Sequence, residues 1–222
     1  MLVTTCPIFA QESIQTKTKR RGAELYYGVG FDNNKYKDIN RFLRDYNLPG
    51  NFKTYAFSFA FGIAFTRERT KLEMFASASD QHFTSGSKKF KAQNQSIQLL
   101  YHYQIINKGW LHTSLYSGIS MQICNLQIDS IFKPSGFGAF NSINADKVFF
   151  DIPIGLQLTH YFPGKNTSKP YASKYLIGLK AAYHVTIYQN DWYIGQNTHN
   201  SFNYQFKQPD FFELNLIFGF YR

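Results

Sequence analysis

Two short groups of residues in this sequence contain the side chains needed for nucleophilic chemistry. His199, Asn200 and Ser201 are adjacent, and His112 precedes Ser114 by two positions. A histidine beside a serine can activate the hydroxyl for attack on an ester. Proximity in the sequence is not sufficient, because such a site is defined by its geometry in space. An acyltransferase or esterase is therefore kept as an alternative, and we expect a protein that is not an enzyme.

The sequence contains no spacing typical of a metal or cofactor site. Its histidines are scattered: His82, His102, His112, His160, His184 and His199. Gly28 and Gly30 lie inside a predicted strand and do not open a helix, as a phosphate-binding loop would. We expect no cofactor and no metal, and we expect His102 and His184 to be hydrogen-bonded inside the fold.

A further set of charged residues shares one position in a repeated pattern: Glu24, Glu73, Asp151, Lys180 and Glu213. Each lies in a segment where bulky apolar residues alternate with small or polar ones, and each takes the small or polar register. Alternate side chains of a strand point to opposite faces, so these charges should share one side of a sheet. We predict a polar network in a narrow lumen, serving either to pair buried charges or as a gate or proton path.

The alternation is clearest at residues 55–65, where every odd position is bulky and every even position is Ala, Ser or Gly. The final segment repeats it. The bulky register of these two segments consists of Tyr55, Phe57, Phe59, Phe61, Ile63, Phe65, Phe212, Leu214, Leu216, Phe218 and Phe220. This register carries no charge, and a cation at a membrane midplane costs about 2–4 kcal/mol. We therefore predict that these residues face lipid.

The same period of two predicts eight strands in all, at about residues 23–31, 55–65, 71–79, 95–106, 110–124, 148–161, 175–188 and 212–220. Long connections should follow every odd strand, giving external loops at about 32–51, 80–94, 125–147 and 189–210. Within the first loop, Asp38 can cap a short helix with an apolar stripe of Ile39, Phe42, Leu43 and Tyr46, ended by Pro49 and Gly50. These features predict an all-β fold, an eight-stranded antiparallel up-and-down transmembrane β-barrel.

Composition agrees with a barrel. Aromatic residues make up 18% of the 222 residues, yet mean hydropathy is only −0.34. No run approaches the ~18 apolar residues of a membrane helix. The net charge of +10 would suit an anionic partner, but the aromatic residues follow strand period, which argues against nucleic acid. A soluble lipocalin-like ligand binder is a further alternative, although it would need a polar outside and an apolar cavity.

The two ends of the chain differ in composition from the rest. Residues 1–10 read as the remnant of a signal peptide, and residues 11–21 as a flexible basic lead-in. Residues 22–222 then form a single barrel domain. Two cysteines, Cys6 and Cys124, are too few for a disulfide framework.

Four stretches carry a resemblance to a known group: INRFLRDYNLPG, FDIPIGLQLTHYF, LIGLKAAYHVTIYQNDWYIG and ELNLIFGFYR. In these the chain resembles the small outer-membrane β-barrel proteins of Bacteroidetes-type bacteria, the PorT-like and OmpA-like barrel families. The resemblance implies a location in a bacterial outer membrane. It also implies a structural, surface-interaction or envelope-assembly role through the external loops. The partners to expect are outer-membrane lipid and lipopolysaccharide, the barrel-assembly machinery and other envelope proteins.

Overall fold

The computed structural model describes residues 21–33, 35–45, 47–108, 110–130, 142–162, 174–190, 192–195, 202–204 and 210–222. Its elements are β1 (Arg21–Asn33), α1 (Lys37–Asp45), β2 (Tyr55–Arg67), β3 (Thr70–Ser85), β4 (Lys88–Lys108), β5 (Leu111–Ser130), β6 (Ser142–Phe162), β7 (Lys174–Gln189), β8 (Trp192–Gly195), β9 (Phe202–Tyr204) and β10 (Phe211–Tyr221). None of the helical segments in these ranges has the length and apolarity needed to cross a membrane.

Eight strands close into a barrel. The strands β1 to β7 pair with their neighbours along the chain, and β10 pairs with both β7 and β1. The β1–β10 pairing is antiparallel and continuous from Glu24 opposite Tyr221 to Asn33 opposite Phe212. The predicted fold, an eight-stranded antiparallel barrel with one short helix, is confirmed.

The predicted loop at 189–210 is wrong in part, because it contains further strand. β8 and β9 pair with each other, and β8 adds to β6 at Asn144–Asp146. This small hairpin extends the sheet beyond the barrel strands. Here β6 is already paired with β5 on its other side, so β8 covers an edge that would otherwise be open.

The predicted loops at 80–94 and 125–147 are also wrong over much of their length. β3 runs to Ser85 and β4 starts at Lys88, so only Gly86 and Ser87 connect them. Gly86 has a φ of +59°, which a glycine adopts without strain. β5 continues to Ser130 and β6 starts at Ser142.

The reason for this error is that apolar and polar residues change sides along the same strands, which we call the exchange of faces. In β3, the outward residues change from Ala76 and Ala78 to Asp80 and His82. In β4, Lys89 and Lys91 are exposed while Phe90 and Ala92 are buried. The period of two is unbroken, but the apolar residues have moved from the outer face to the inner face. We call residues 79–94, 124–130 and 142–149 the upper barrel, and the remaining length of the barrel strands the lower barrel.

Helix α1 packs into the mouth of the upper barrel. Its Ile39, Phe42 and Leu43 join a buried cluster with inward residues of five strands, among them Ala56, Phe90, Leu126, Phe149 and Phe211. The side-chain amide of Asn40 both donates to the carbonyl of Phe52 and accepts from its N–H, each at 2.7 Å. The predicted apolar stripe therefore faces the barrel, while Tyr46 lies outside the described residues.

We predict that Leu43→Ala loosens α1 without opening the barrel. Leu43 is fully buried, and a buried Leu→Ala change costs about 2–5 kcal/mol. Hydrogen–deuterium exchange of residues 37–45 should accelerate, while exchange in β1 and β10 stays unchanged. The exposed neighbour provides the control, since Arg44→Ala should leave exchange in the helix nearly as it was. Equal acceleration in both variants would contradict the packing described.

Candidate functional site in the barrel interior

The first group of interior charges lies in the lower barrel and connects walls that are not neighbours in the sheet. Lys71 Nζ of β3 is 3.1 Å from Glu24 Oε2 of β1 and 3.5 Å from Glu73 Oε2. The ammonium group of Lys180, on β7, contacts Glu73 Oε1. Because β3 and β7 are not adjacent, this contact crosses the lumen. Opposite charges therefore join the walls of the barrel across its interior.

A second group lies around His184. Its Nδ1 is 2.6 Å from Asp151 Oδ1 and its Nε2 is 2.9 Å from Glu213 Oε2. The amides of Gln122 and Gln98 donate to these two carboxylates, at 2.7 Å and 3.1 Å. The predicted interior residues therefore separate into two clusters. Glu24, Glu73 and Lys180 belong to the first, and Asp151 and Glu213 to the second.

Lys71 was missed as a network residue by the sequence reasoning, although a signal for it was present. Lys71 and Glu73 are two positions apart on β3, so they must share the inner face. His102 was expected to be hydrogen-bonded inside the fold, and its Nε2 lies 2.8 Å from Glu73 Oε2. The odd or even position of a residue along its strand, here called strand parity, was sufficient to place these residues inside. The choice of partner depends on contacts across the lumen, which parity does not specify.

The first cluster contains as many ammonium groups as carboxylates, and aromatic rings enclose it. The Nζ of Lys180 is 3.7 Å from the ring centroid of Phe75 and 5.0 Å from that of Tyr116. Both rings are buried with Tyr26, Leu100 and Ile217 in one cluster. Buried charges require partners, and here the partners and rings fill the interior of the lower barrel.

The serine and histidine candidates are rearranged by the fold. Ser114 Oγ is 3.2 Å from Nδ1 of His102, which in turn contacts Glu73. The ring of His112 instead packs on Tyr161, with centroids 4.5 Å apart. This serine–histidine–carboxylate row is sealed inside the barrel, since Ser114 is 5% exposed and His102 0%. A substrate has no approach to it from solvent, so its arrangement serves hydrogen bonding in the interior.

The remaining points from the sequence concern the residues of the last loop and a metal site. His199, Asn200 and Ser201 lie outside the described residues. Over the ranges that the structure describes, no group of three or more His, Cys, Asp or Glu side chains could hold a metal ion.

Buried ion pairs also hold α1 and its entry segment. Lys147 Nζ of β6 is 2.6 Å from Asp38 Oδ2, and Lys35 Nζ is 2.9 Å from Asp32 Oδ2. Burial alone would lower the pKa of Lys35, but the charges of Asp32 and Glu213 outweigh this and raise it above its ordinary value. Asp38 was predicted to cap α1. The helix instead begins at Lys37, and the Asp38 carboxylate pairs with the barrel wall.

The outward register is exposed as the strand pattern requires. In β2, every odd residue from Tyr55 to Arg67 is exposed and every even one is buried. Phe212, Leu216 and Phe220 of β10 are exposed, and Leu214 and Phe218 on the same face are half-buried. The residues predicted to face lipid therefore all lie on the outer surface.

We predict that Lys180→Met destabilises the barrel. Removing one partner of a buried ion pair costs about 3–5 kcal/mol, and methionine keeps most of the packing against Phe75. On gels of unboiled protein, the temperature at which the compact folded band disappears should fall. Lys174→Met, at the exposed start of the same strand, should change the free energy of unfolding by no more than about 0.5 kcal/mol, so the temperature should stay close to that of the unchanged protein. No difference between the two variants would contradict a stabilising role for this cluster.

Comparison with known proteins supports the fold alone. The sequence matches no protein-family model and no curated protein. The structure of Ail, the attachment invasion locus protein of Yersinia pestis, covers 90% of this chain and 98% of its own, with a TM-score of 0.50 and 9% identity. The structure of Ail in complex with the heparin analogue sucrose octasulfate covers 91% of this chain and 99% of its own, with a TM-score of 0.53 and 10% identity. The crystal structure of Neisserial surface protein A aligns with 90% of this chain and 95% of its own, at 10% identity. Its TM-score is 0.31, which is too low to support a conclusion.

Proposed function

We propose that the protein is an integral outer-membrane barrel, filled by its own side chains, that acts through its external surface. The apolar outer surface of the lower barrel supports this. Every barrel strand exposes a large apolar side chain there, for example Tyr27, Phe59, Met74, Tyr101, Ile119, Ile154, Tyr183 and Phe220. Contiguous exposure on this scale marks a surface that meets lipid or another apolar partner.

The exchange of faces is the observation that carries the proposal. The upper barrel has the polar outside and apolar inside of a wall that meets water, as His82, Lys91 and Phe90 show. The lower barrel has the reverse arrangement on the same strands. A soluble lipocalin-like binder would keep one arrangement along the whole wall. A change of solvent from lipid to water explains the exchange.

The height of the apolar band fits a bilayer. Residues 55–65 span about 33 Å along the strand at ~3.3 Å per residue. A strand tilt of ~40° reduces this to about 25 Å, the height of the apolar band of outer-membrane barrels. The connection at Glu68 and Arg69 is short and lies at the opposite end from the upper barrel. The upper end also contains a short turn, at Gly86 and Ser87, but there β3 to β6 extend past the apolar band and the β1–β2 connection holds α1. Longer connections are extracellular and short turns periplasmic in such proteins, so we propose that the upper barrel lies outside the cell.

This orientation predicts which positions a membrane-impermeant thiol reagent reaches on intact cells. His82→Cys, exposed on the upper barrel, should be labelled. Arg69→Cys, exposed in the short turn, should be labelled only after the outer membrane is broken. Both variants also carry Cys6→Ser, and the chain with Cys6→Ser alone is the background control, since its remaining cysteine, Cys124, is buried. Labelling of Arg69→Cys on intact cells, or labelling of neither variant in membranes, would overturn the topology.

The exposed face of α1 suggests what the external surface binds. Lys37, Arg41 and Arg44 are exposed and recur at positions i, i+4 and i+7, so they form one basic row, with the exposed carboxylate of Asp45 at its edge. The opposite face of the helix is buried in the barrel mouth. Ail, which has the same fold, was solved with a sulfated heparin analogue. We propose that this chain likewise binds a sulfated or phosphorylated saccharide, along the basic row.

We predict that replacing Lys37, Arg41 and Arg44 by Gln weakens binding of the purified barrel to immobilised heparin by about tenfold, since exposed ion pairs contribute up to about 1 kcal/mol each. Rising salt should weaken binding by the unchanged protein, because it screens exposed charges. The matched control replaces Arg67, Arg69 and Lys108, which are exposed at the other end of the barrel. An equal loss in both variants would show that net charge, and not the row, attracts heparin.

A role in envelope assembly, as in PorT-like proteins, is the alternative within the same architecture. It rests on the sequence resemblance, and the family itself stays a prediction. The basic row favours surface binding, because it presents charge to the exterior and not to the periplasmic end. A barrel that inserts and folds but shows no affinity for heparin would favour the assembly role.

A further inference from the structure

The apolar outer surface is interrupted by a groove along β3. Its floor is Ala76 and Ala78, and its volume is about 440 Å³. Each alanine lies between taller residues of the adjacent strands. Ala76 has Phe61 and Ile97 beside it, and Ala78 has Phe59 and Gln95. The next outward residue toward the periplasm, Met74, is 62% exposed and closes the lower end.

The groove has the shape and lining for a single hydrocarbon chain. It is one strand wide, and two phenylalanine side chains form one of its walls. Phe59 is 76% exposed, so its ring stands clear of the barrel surface beside the alanine floor. A chain lying there would cover apolar surface on three sides, which is favourable for each methylene buried. General contact with bilayer lipid does not need such a slot.

The upper end of the groove is polar, and its groups follow a defined order. Gln95 lies in the outward register of β4, which is otherwise apolar down to Ile105. Two positions higher, Asp80 lies opposite Gln93, and after two more His82 lies opposite Lys91. From Ala78 to His82 is about 13 Å along the strand. An amide therefore comes first, then a carboxylate with a second amide, then basic side chains.

This order matches the parts of one ligand. The groove accepts an acyl chain, and the Gln95 amide can donate to the carbonyl where that chain is attached. Asp80 and Gln93 can bind hydroxyl groups of a sugar, whereas Asp80 would repel a phosphate placed directly beside it. Lys91 and the exposed Lys89 then provide positive charge for a phosphate above, and the ring of His82 lies opposite Lys91. The polar end lies at the external edge of the apolar band, as a lipid of the outer leaflet requires.

We propose that this groove is a binding site for an acylated, phosphorylated glycolipid of the outer leaflet, with one acyl chain over Ala76 and Ala78 and a phosphate at Lys91 and His82. The proposal rests on the membrane location proposed above. It adds a specific site on one side of the barrel, at β2, β3 and β4. It does not involve the basic row of α1.

The test is native mass spectrometry of the full chain in detergent micelles, titrated with diphosphorylated lipid A. We expect one lipid A per barrel. Ala78→Phe fills the groove with an apolar side chain and should reduce the bound fraction by about tenfold, because the acyl chain loses its buried methylenes. Ala181→Phe makes the same change in the outward register of β7 and should bind like the unchanged protein.

Further arms test the headgroup. Lys91→Gln together with Lys89→Gln should weaken lipid A binding, and Lys108→Gln at the periplasmic end should not. Dephosphorylated lipid A should bind more weakly than the phosphorylated form, and inorganic phosphate alone should neither be retained nor compete. Equal binding by Ala78→Phe and Ala181→Phe would overturn the proposal, as would equal binding of the dephosphorylated lipid. Heat-modifiable migration on gels shows whether each variant still folds as a barrel. A folded, inserted barrel that does not bind lipid A would overturn the groove proposal but leave the proposed function standing.

Discussion

Closure of the sheet is the constraint on which the rest of this structure depends. The pairing of β1 with β10 satisfies backbone groups that would otherwise form two open edges, and each unpaired group in lipid costs several kcal/mol. Closing with eight strands also makes the interior narrow. Gly30 shows how narrow: a Cβ there would lie 2.0 Å from Asn215 Oδ1 and 2.4 Å from Ser58 Oγ. The small residues that alternate with bulky ones are therefore a requirement of closure.

The narrow interior explains why charges can be buried in it. Side chains from opposite walls meet within hydrogen-bonding distance, so Lys180 of β7 reaches Glu73 of β3 and Gln98 of β4 reaches Glu213 of β10. These two contacts cross the lumen and hold strands that share no backbone pairing, whereas His184 joins its neighbouring strands β6 and β10 through Asp151 and Glu213. In the upper barrel the interior is mainly apolar, and α1 fills it with Ile39 and Leu43 while its Asp38 pairs with Lys147. Polar pairing and apolar packing thus close the lumen at two successive levels.

The outer surface changes from apolar to polar at the boundary between the lower and the upper barrel, where the interior also changes. Below it, the strands present Phe and Leu side chains; above it, they present Asp, His and Lys. Both proposed binding surfaces depend on this boundary. The groove on β3 ends there, with its polar groups at the edge of the apolar band, and α1 presents its basic row beyond it. The two proposed binding surfaces thus meet or lie beyond this boundary, and the lower barrel is the proposed membrane anchor.

Much of this architecture was determined by the sequence alone. Strand parity indicated the eight barrel strands, the face of each strand, the interior position of Glu73 and Lys180, and the apolar stripe of α1, because a period of two or 3.6 is a local property of the chain. The upper barrel was missed because its faces are exchanged, so a search for bulky residues in the outward register ended near Ser79 and Cys124. The pairing of Ser114 with His102, the pairing of Asp38 with Lys147, and the groove were decided only by the tertiary structure. The first and the last depend on the register between consecutive strands, β4 with β5 and β3 with β2 and β4, and the second depends on where α1 docks against β6. No local pattern encodes that register or that docking.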